Sequence, residues 1–311
     1  MKAIVINEYG SKEVLKETEI PKPDITDDQV LVEVHATSIN PIDWKTRAGY
    51  LQEKLDFSFP IILGWDVAGT IVEVGDKVTD YQIGDEVFAR PATTPNGTYA
   101  EFTAVDENLL AKKPENVTFE EAASIPLVGL TAWQCLVDIT NIKKGDTVLI
   151  HAGSGGVGSI AIQLAKHFGA FVATTASEQN EAYVKELGAD QFINYKTQNF
   201  EEELSDFDIV LDTMGGDILE KSYTVLKRGG KLVTIAGQPN DDAAAKYGIT
   251  AKFHWLEPDG TQLQKLADLL NKEIIKPQVG HVFDFSEEQL QKAHELSETH
   301  HAKGKIVVKV K

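Results

Sequence analysis

The stretch Thr147-Val-Leu-Ile-His151-Ala-Gly153-Ser-Gly155-Gly156-Val157-Gly158, running on through Ser159–Phe168, decides the fold of this chain. Thr147–His151 is a short apolar run of strand length, and Ser159–Phe168 places Ile162, Leu164, Ala165 and Phe168 as the apolar residues of a helix. Between them lies Gly153-x-Gly155-x-x-Gly158. Glycines are common in turns, so the triplet alone says little; between a strand and a helix it is the pattern of a dinucleotide-binding turn. Gly153 permits the tight turn, Gly155 lets backbone approach a pyrophosphate, and Gly158 lets the helix lie close on the strand. The helix N-terminus then offers unpaired N–H groups and a positive dipole end to phosphate. Gly153, Gly155, Gly156, Val157 and Gly158 are therefore the candidate phosphate-binding residues.

Further along the chain the same alternation continues. Phe171–Thr175, Asp208–Asp212 and Lys231–Ile235 are apolar strands separated by helical stretches, as a parallel sheet covered on both faces requires. Right-handed crossovers make this a doubly wound domain. Thr118 and Glu121 form a capping box that opens a helix at its start. Before Pro114 the character is different. Gln29–Ala36 alternates with the period of a strand, Ile71–Val74 is another, and Gly75-Asp76, Gly84-Asp85 and Pro95-Asn96-Gly97 supply turns, which together suggest a small β-barrel. The tail has a second capping box, Ser286 to Gln289, with Leu290, Ala293 and Leu296 on one helical face, and a strand Gly304–Val308. The simplest arrangement returns this tail to the first domain. The expected division is 1–117 with 274–311 as a discontinuous barrel domain, and 118–273 as the nucleotide-binding domain. The fold class is thus α/β: a β-barrel plus a doubly wound parallel sheet.

Composition narrows the function. The formal charge is −18 with only three arginines, Arg47, Arg90 and Arg228, so no basic surface suited to nucleic acid or anionic membrane is expected. No apolar run reaches the ~18 residues of a membrane span, and Met1–Asn7 turns polar too soon for a secretory signal. The single cysteine, Cys135, lies in an apolar stretch and fits a buried thiol in a reducing cytoplasm. The eight histidines show no paired metal spacing, and His300-His301 reads as a solvated helix end.

A dinucleotide carrying a free ribose hydroxyl pair is usually met by an acidic residue ~20 positions after the first glycine. Here that region is Ala173-Thr174-Thr175-Ala176-Ser177, without a carboxylate. Its hydroxyls, with Thr175 and Ser177 as candidates, favour NADPH over NADH. No Arg or Lys sits in the loop, and Glu178 follows it directly. Tyr195 is a candidate phenolic donor to the 2′-phosphate, with a packing role as the alternative.

Taken together with Asn40-Pro-Ile-Asp43-Trp-Lys-Thr-Arg47-Ala-Gly49, Gly64-Trp65-Asp66-Val-Ala-Gly69, Gly129-Leu-Thr131-Ala132, Glu257-Pro-Asp-Gly260 and Gly304-Lys305-Ile306-Val307, the chain resembles the medium-chain dehydrogenase/reductase superfamily, in its zinc-free quinone oxidoreductase branch. The resemblance spans essentially the whole chain and implies a GroES-like barrel joined to a Rossmann domain, with the cofactor in the cleft. Zinc members place a cysteine where Asn40 stands and a histidine where Trp65 stands; neither replacement is a usual zinc ligand. The resemblance therefore implies no catalytic metal and an electrophile already activated, a quinone or an α,β-unsaturated carbonyl. It places Asn40 and Asp43 near nicotinamide and substrate, with Asp43 alternatively capping its loop and pairing with Arg47. Tyr50 is a candidate donor to the substrate oxygen. Asn40, Thr131, Ala236 and Gly237 are implied cofactor contacts, and Phe253, Trp255, Phe57, Phe59 and Trp65 offer apolar surface. A homodimer paired through the Rossmann sheet edge is also implied, with Asp241-Asp242 either at that edge or in a solvated loop. Two other functions stay open: a reductase of 2-enoyl thioesters, and a regulatory protein that binds the dinucleotide without turnover.

Overall fold

The computed structural model describes residues Met1–Lys311. In its first part the chain forms β1 (Lys2–Ile6), β2 (Lys16–Glu19), β3 (Gln29–Ile39), α1 (Pro41–Arg47), β4 (Ile61–Ile62), β5 (Val67–Val74), β6 (Glu86–Ala89), β7 (Phe102–Asp106) and β8 (Leu110–Lys112). Next come α2 (Phe119–Ala123), α3 (Pro126–Trp133), β9 (Thr147–Ile150), α4 (Gly156–His167), β10 (Phe171–Ala176), α5 (Glu181–Glu186), β11 (Gln191–Asn194), α6 (Phe200–Glu203) and β12 (Phe207–Asp212). The remainder is α7 (Gly216–Ser222), β13 (Leu226–Thr234), α8 (Asp241–Tyr247), β14 (Thr250–Phe253), α9 (Gly260–Asn271), β15 (Val279–Asp284), α10 (Glu287–Glu298) and β16 (Lys305–Lys309).

Two compact units result: Met1–Leu130 with Pro258–Lys311, and Thr131–Glu257. The first is discontinuous in sequence. Its boundaries differ from 117 and 274 because α2 packs on β3 and β5 and α9 packs on β8, which assigns both helices to the barrel unit.

In that unit a seven-stranded sheet has the order β15-β16-β3-β5-β6-β8, with β7 also pairing β3, and a three-stranded sheet has the order β2-β1-β4. The period-2 pattern read at Gln29–Ala36 continues to Ile39, and Val30, Val32 and Val34 turn into one core with Val67, Ile71, Val87 and Val105. A second core gathers Ile4, Ile6, Leu15, Trp65 and Tyr99 against Leu290 and Ala293, the apolar face of α10. That helix starts at Ser286, whose side chain accepts the Gln289 N–H; the reciprocal half of the expected capping box does not form, because the Ser286 N–H bonds the Asp284 carbonyl. Leu296, on the same face, is only partly buried.

The second unit is built on one six-stranded parallel sheet of order β11-β10-β9-β12-β13-β14. The first strand lies in the middle, and the chain winds outward from it in both directions. The order reverses between β9 and β12, and ligands of open α/β sheets bind at such a switch point, outside the carboxyl ends of the strands. Val148, Leu149, Ile150, Ile209, Val210 and Leu211 are buried, the continuous apolar runs that a sheet covered on both faces needs. Asp241 and Asp242 do not form a solvated loop: they open α8, whose N-cap Asn240 accepts the Ala243 N–H. Acidic residues are favoured there by the helix dipole.

No helix is long and apolar enough to cross a membrane.

Candidate functional site

The glycine turn leaves the carboxyl end of β9. His151 N–H still bonds the Leu211 carbonyl at 3.1 Å, and the chain then reverses through Ala152, a non-glycine residue at φ 52°. Each glycine meets a different constraint. A Cβ on Gly153 would collide with the Thr174 side chain, and one on Gly158 with the Ala152 carbonyl oxygen. A Cβ on Gly155 would meet only the Ala152 oxygen, at 3.4 Å. Gly155 thus keeps open a space over the turn that the protein does not itself fill. It is also the N-cap of α4, so Gly156, Val157 and Gly158 present first-turn N–H groups that have no acceptor within the helix. An open backbone cradle facing a helix N-terminus fits a pyrophosphate.

Thr175 lies beneath this turn and supports it. Its hydroxyl accepts the Ala152 N–H at 3.1 Å and bonds His151 Nδ1 at 3.2 Å, and its carbonyl accepts the Gly153 N–H at 3.0 Å. The other ring nitrogen of His151 is 2.9 Å from the Ser222 hydroxyl, which donates to the Ile218 carbonyl. Since Ser222 donates elsewhere, it accepts from His151 Nε2–H, which leaves Nδ1 to accept from Thr175. Burial pushes the His151 imidazole down to about 4, so the ring is neutral and this relay is complete at neutral pH. Thr174 is likewise turned inward, donating to the Ile150 carbonyl.

At the end of β10 the hydroxyl of Ser177 accepts from Asn180 Nδ2 at 3.2 Å, and the same amide reaches Ser154 Oγ on the glycine turn at 3.2 Å. Parallel pairing sets Ala176 beside Asn194, which brings Tyr195 and Lys196 to the same strand end. Tyr195 is 50% exposed, and the Lys196 ammonium stands 6.0 Å from its ring centre. A basic side chain, absent from the Thr174–Ser177 loop, thus follows the neighbouring strand β11 at the same sheet end. Only the register of β10 on β11 reveals it.

At the ends of β12 and β13, Asp212 accepts the N–H groups of Met214 and Gly215 and the Thr234 hydroxyl. Ala236 is exposed and Gly237 half-buried just past β13. Thr131 is buried within α3. Gln134 pins the segment after β14, donating to the Glu257 carbonyl at 2.7 Å and bonding His254 Nε2 at 2.8 Å. Trp255, in that segment, is 36% exposed.

The barrel unit holds a buried polar cluster around Asn40, which follows β3. Asn40 Nδ2 donates to Asp66 at 2.7 Å, and Asn40 Oδ1 accepts from Lys305 Nζ at 2.5 Å. Its own N–H bonds Asp43 Oδ2 at 2.8 Å, as a capping residue should. Asp43 does not pair with Arg47. Arg47 instead bonds Glu298 at 2.8 Å and His294 Nδ1 at 3.1 Å, while Asp43 takes the Tyr99 hydroxyl at 2.8 Å. Arginine can only donate, so His294 accepts at Nδ1 and donates from Nε2 to Tyr99, 3.0 Å away. Burial and the Arg47 charge push His294 down to about 3. Burial, partly offset by the Asn40 and Tyr99 hydrogen bonds, pushes the Asp43 carboxyl up to about 7. Its second oxygen is buried without a partner.

Tyr50 lies outside this network and is 74% exposed, edge-on to Trp44. Trp65 is wholly buried, with Nε1 donating to the Thr94 carbonyl at 3.0 Å, and Phe57 lies 6.3 Å from it. Phe59 is exposed and packs edge-on to Tyr9. Cys135 is buried and its thiol is pushed up by desolvation. No group of three or more His, Cys, Asp or Glu side chains is arranged to hold a metal ion.

A family model described as alcohol dehydrogenase GroES-like domain matches residues 26–115, and one described as zinc-binding dehydrogenase matches 187–308. The chain is 40% identical to the chloroplastic NADPH-dependent alkenal/one oxidoreductase of Arabidopsis thaliana, over 99% of this chain and 79% of that one. The quinone oxidoreductase of Coxiella burnetii superposes with a TM-score of 0.92 at 38% identity, covering 100% of this chain and 99% of that one. The Escherichia coli quinone oxidoreductase, solved with NADPH, does so at 0.89 and 28% identity, covering 100% of both chains. The chain belongs to the medium-chain dehydrogenase/reductase superfamily, in its quinone oxidoreductase-like branch.

Proposed function

We propose that this protein is a zinc-independent oxidoreductase that uses NADPH to reduce a quinone or the alkene of an α,β-unsaturated carbonyl. The open cradle at Gly155, facing the α4 N–H groups, carries the reading: it fits a pyrophosphate, and the relatives in this branch are NADPH-dependent alkenal/one and quinone oxidoreductases. NADPH, when bound, supplies the hydride. The chain's own work is binding, orientation and stabilisation of the oxyanion that develops on the acceptor.

Unit 131–257 holds the dinucleotide. Gly153, Gly155, Gly156, Val157 and Gly158 bind the pyrophosphate, with Thr175 acting from below. Ser177, Tyr195 and Lys196 take the 2′-phosphate; the hydroxyls of a Thr174–Ser177 stretch without a carboxylate, with Lys196 at the same sheet end, support NADPH over NADH. Thr131, Ala236 and Gly237 serve the nicotinamide half. In the barrel unit Asn40 and Tyr50 serve the acceptor, and Asp43 positions Asn40. Zinc independence is supported by the donor chemistry: the Asn40 amide is committed to Asp66 and Lys305, and Trp65 is turned into the core. A homodimer through β14, the outer strand of the six-stranded sheet, and a cytoplasmic setting for the buried Cys135 belong to the same proposal.

The test is a panel assay following NADPH oxidation with quinones, 2-alkenals and enoyl thioesters, run in parallel with NADPH and NADH titrations. Turnover of quinones or alkenals is the expected result. Activity confined to enoyl thioesters would move the substrate class, and tight NADPH binding without turnover on any acceptor would make this a binding protein. Zinc recovered stoichiometrically without added metal would end the metal-free reading, and sedimentation as a monomer at low concentration would remove the dimer.

A further inference from the structure

Lys305 is 4% exposed, and lysine is almost never buried unless its charge is matched. Its ammonium meets three acceptors: the Ile39 carbonyl at 2.9 Å, Asn40 Oδ1 at 2.5 Å and an Asp66 carboxylate oxygen at 3.6 Å. Two of its N–H donors are taken by hydrogen bonds to Ile39 and Asn40, and the charge is matched by the Asp66 carboxylate as an ion pair. Asp66 is fully buried and equally committed, accepting from Ser38 Oγ at 2.7 Å, Asn40 Nδ2 at 2.7 Å and the Leu127 N–H at 2.8 Å. The position of Lys305 is itself imposed by backbone. Ile306 pairs with Ile39 across the β16–β3 ladder, so the residue before Ile306 falls beside the residue after Ile39. Gly304, at φ 65°, and the Lys305 N–H, bonded to the Gln278 carbonyl at 2.7 Å, fix the strand entry.

The consequence falls on Asn40. A primary amide has an acceptor end and a donor end, and nothing intrinsic decides which way it faces. Here a cation stands at the oxygen and an anion at the nitrogen. Turning the amide over would set NH2 against the ammonium and oxygen against the carboxylate. We propose that Lys305 is a positioning residue for the reaction: with Asp66 it clamps the Asn40 amide in one orientation, which leaves the second Nδ2–H to donate to the oxygen of the reacting acceptor. This rests on the proposed reductase function, and the metal-free cluster thereby carries its own fixed cation beside Asn40.

The experiment compares wild type with K305M, K305R, the neutral pair K305M/D66N, and N40A alone and combined with K305M. K305M strands the buried Asp66 charge, and K305M/D66N relieves it. In K305M/D66N, kcat with the best acceptor is expected to fall at least tenfold with the NADPH Kd within twofold, and K305R is expected to recover part of that loss. In the N40A background K305M is expected to lower kcat no further, since coupled sites are non-additive. The inference is overturned if K305M/D66N turns over as wild type does, or if the K305M and N40A losses add. The wild-type protein gives a readout that no variant's folding can obscure. The 15N side-chain amide of Asn40 is expected to show two resolved protons exchanging with solvent at least 100-fold slower than a free amide; exchange at the free rate overturns the clamp. A wild type that oxidises NADPH with no acceptor refutes the proposed function instead, while the amide exchange still judges the clamp.

Discussion

The glycine turn of unit 131–257 and the Asn40 cluster of the barrel unit are built by opposite means. The turn is made of backbone: its donors are main-chain N–H groups, its space is the absence of a Cβ at Gly155, and its residues are contiguous. The cluster is made of side chains, and its members Asn40, Asp66, Tyr99, His294 and Lys305 are drawn from distant parts of the chain and wholly or nearly buried. A backbone cradle stays open because nothing in it needs a partner from its own fold. A buried cluster of charges is stable only when its groups satisfy one another. The first is therefore ready for a ligand, whereas the second offers one what its internal partners leave over.

The sharpest way to break this contrast is at Gly155. Its φ of −82° suits any residue, and its Cβ would enter open space, so Gly155→Val is expected to leave Tm within a few degrees while raising the NADPH Kd about 100-fold. Equal losses of stability and affinity would show that the space is packing rather than a cradle. A smaller effect is expected from below the turn. His151→Phe leaves the Thr175 O–H without its acceptor, while Ser222 keeps its bond to the Ile218 carbonyl; one buried unsatisfied donor costs about 1–3 kcal/mol, and the NADPH Kd should rise roughly tenfold. Urea unfolding and fluorescence titration on one sample would measure both.

The cluster makes its own prediction in pH. Asp43 has its carboxyl raised from 3.8 to about 7, so between those values the folded state binds more protons than the unfolded one. Its contribution to stability is therefore lost as pH rises from about 4 to about 7. His294 and His151, held down at about 3 and about 4, act in the opposite sense: what they contribute is present above their unfolded value of 6.5 and is lost as pH falls toward 4. Asp43→Asn is expected to make stability rise more steeply with pH over the 4–7 window, with Tm moving by several degrees at its upper end. An unchanged Tm-against-pH curve would place the Asp43 proton elsewhere. The smallest effect is expected at the exposed rim, where Lys196→Ala should weaken NADPH binding about five-fold and leave NADH binding unchanged. Equal weakening of both cofactors would take Lys196 off the 2′-phosphate.

The turn was legible because its logic is local. Gly155 and Gly158 answer constraints within a few residues of themselves, and the capping box at Thr118 and the N-cap at Ser286 were readable for the same reason. The cluster was legible only in fragments. Asn40 and Asp43 stood out through a resemblance, and the sequence pairing of Asp43 with Arg47 failed because Arg47 finds Glu298 and His294 on a helix some 250 positions away. Lys305 sat in view as the first polar residue of a strand, with nothing in its neighbours to say that it would be buried.

By itself the sequence determined the alternation of strand and helix, the glycine turn, and the lack of a carboxylate within Thr174–Ser177, because periodicity, caps and glycine positions act over a few residues. Only tertiary structure decided which side chains meet. The register of β16 on β3 set Lys305 beside Asn40, and the register of β10 on β11 brought Lys196 to the end of β10. Register is fixed by packing over the whole sheet, and a shift of one residue in β16 would turn Lys305 to the opposite face.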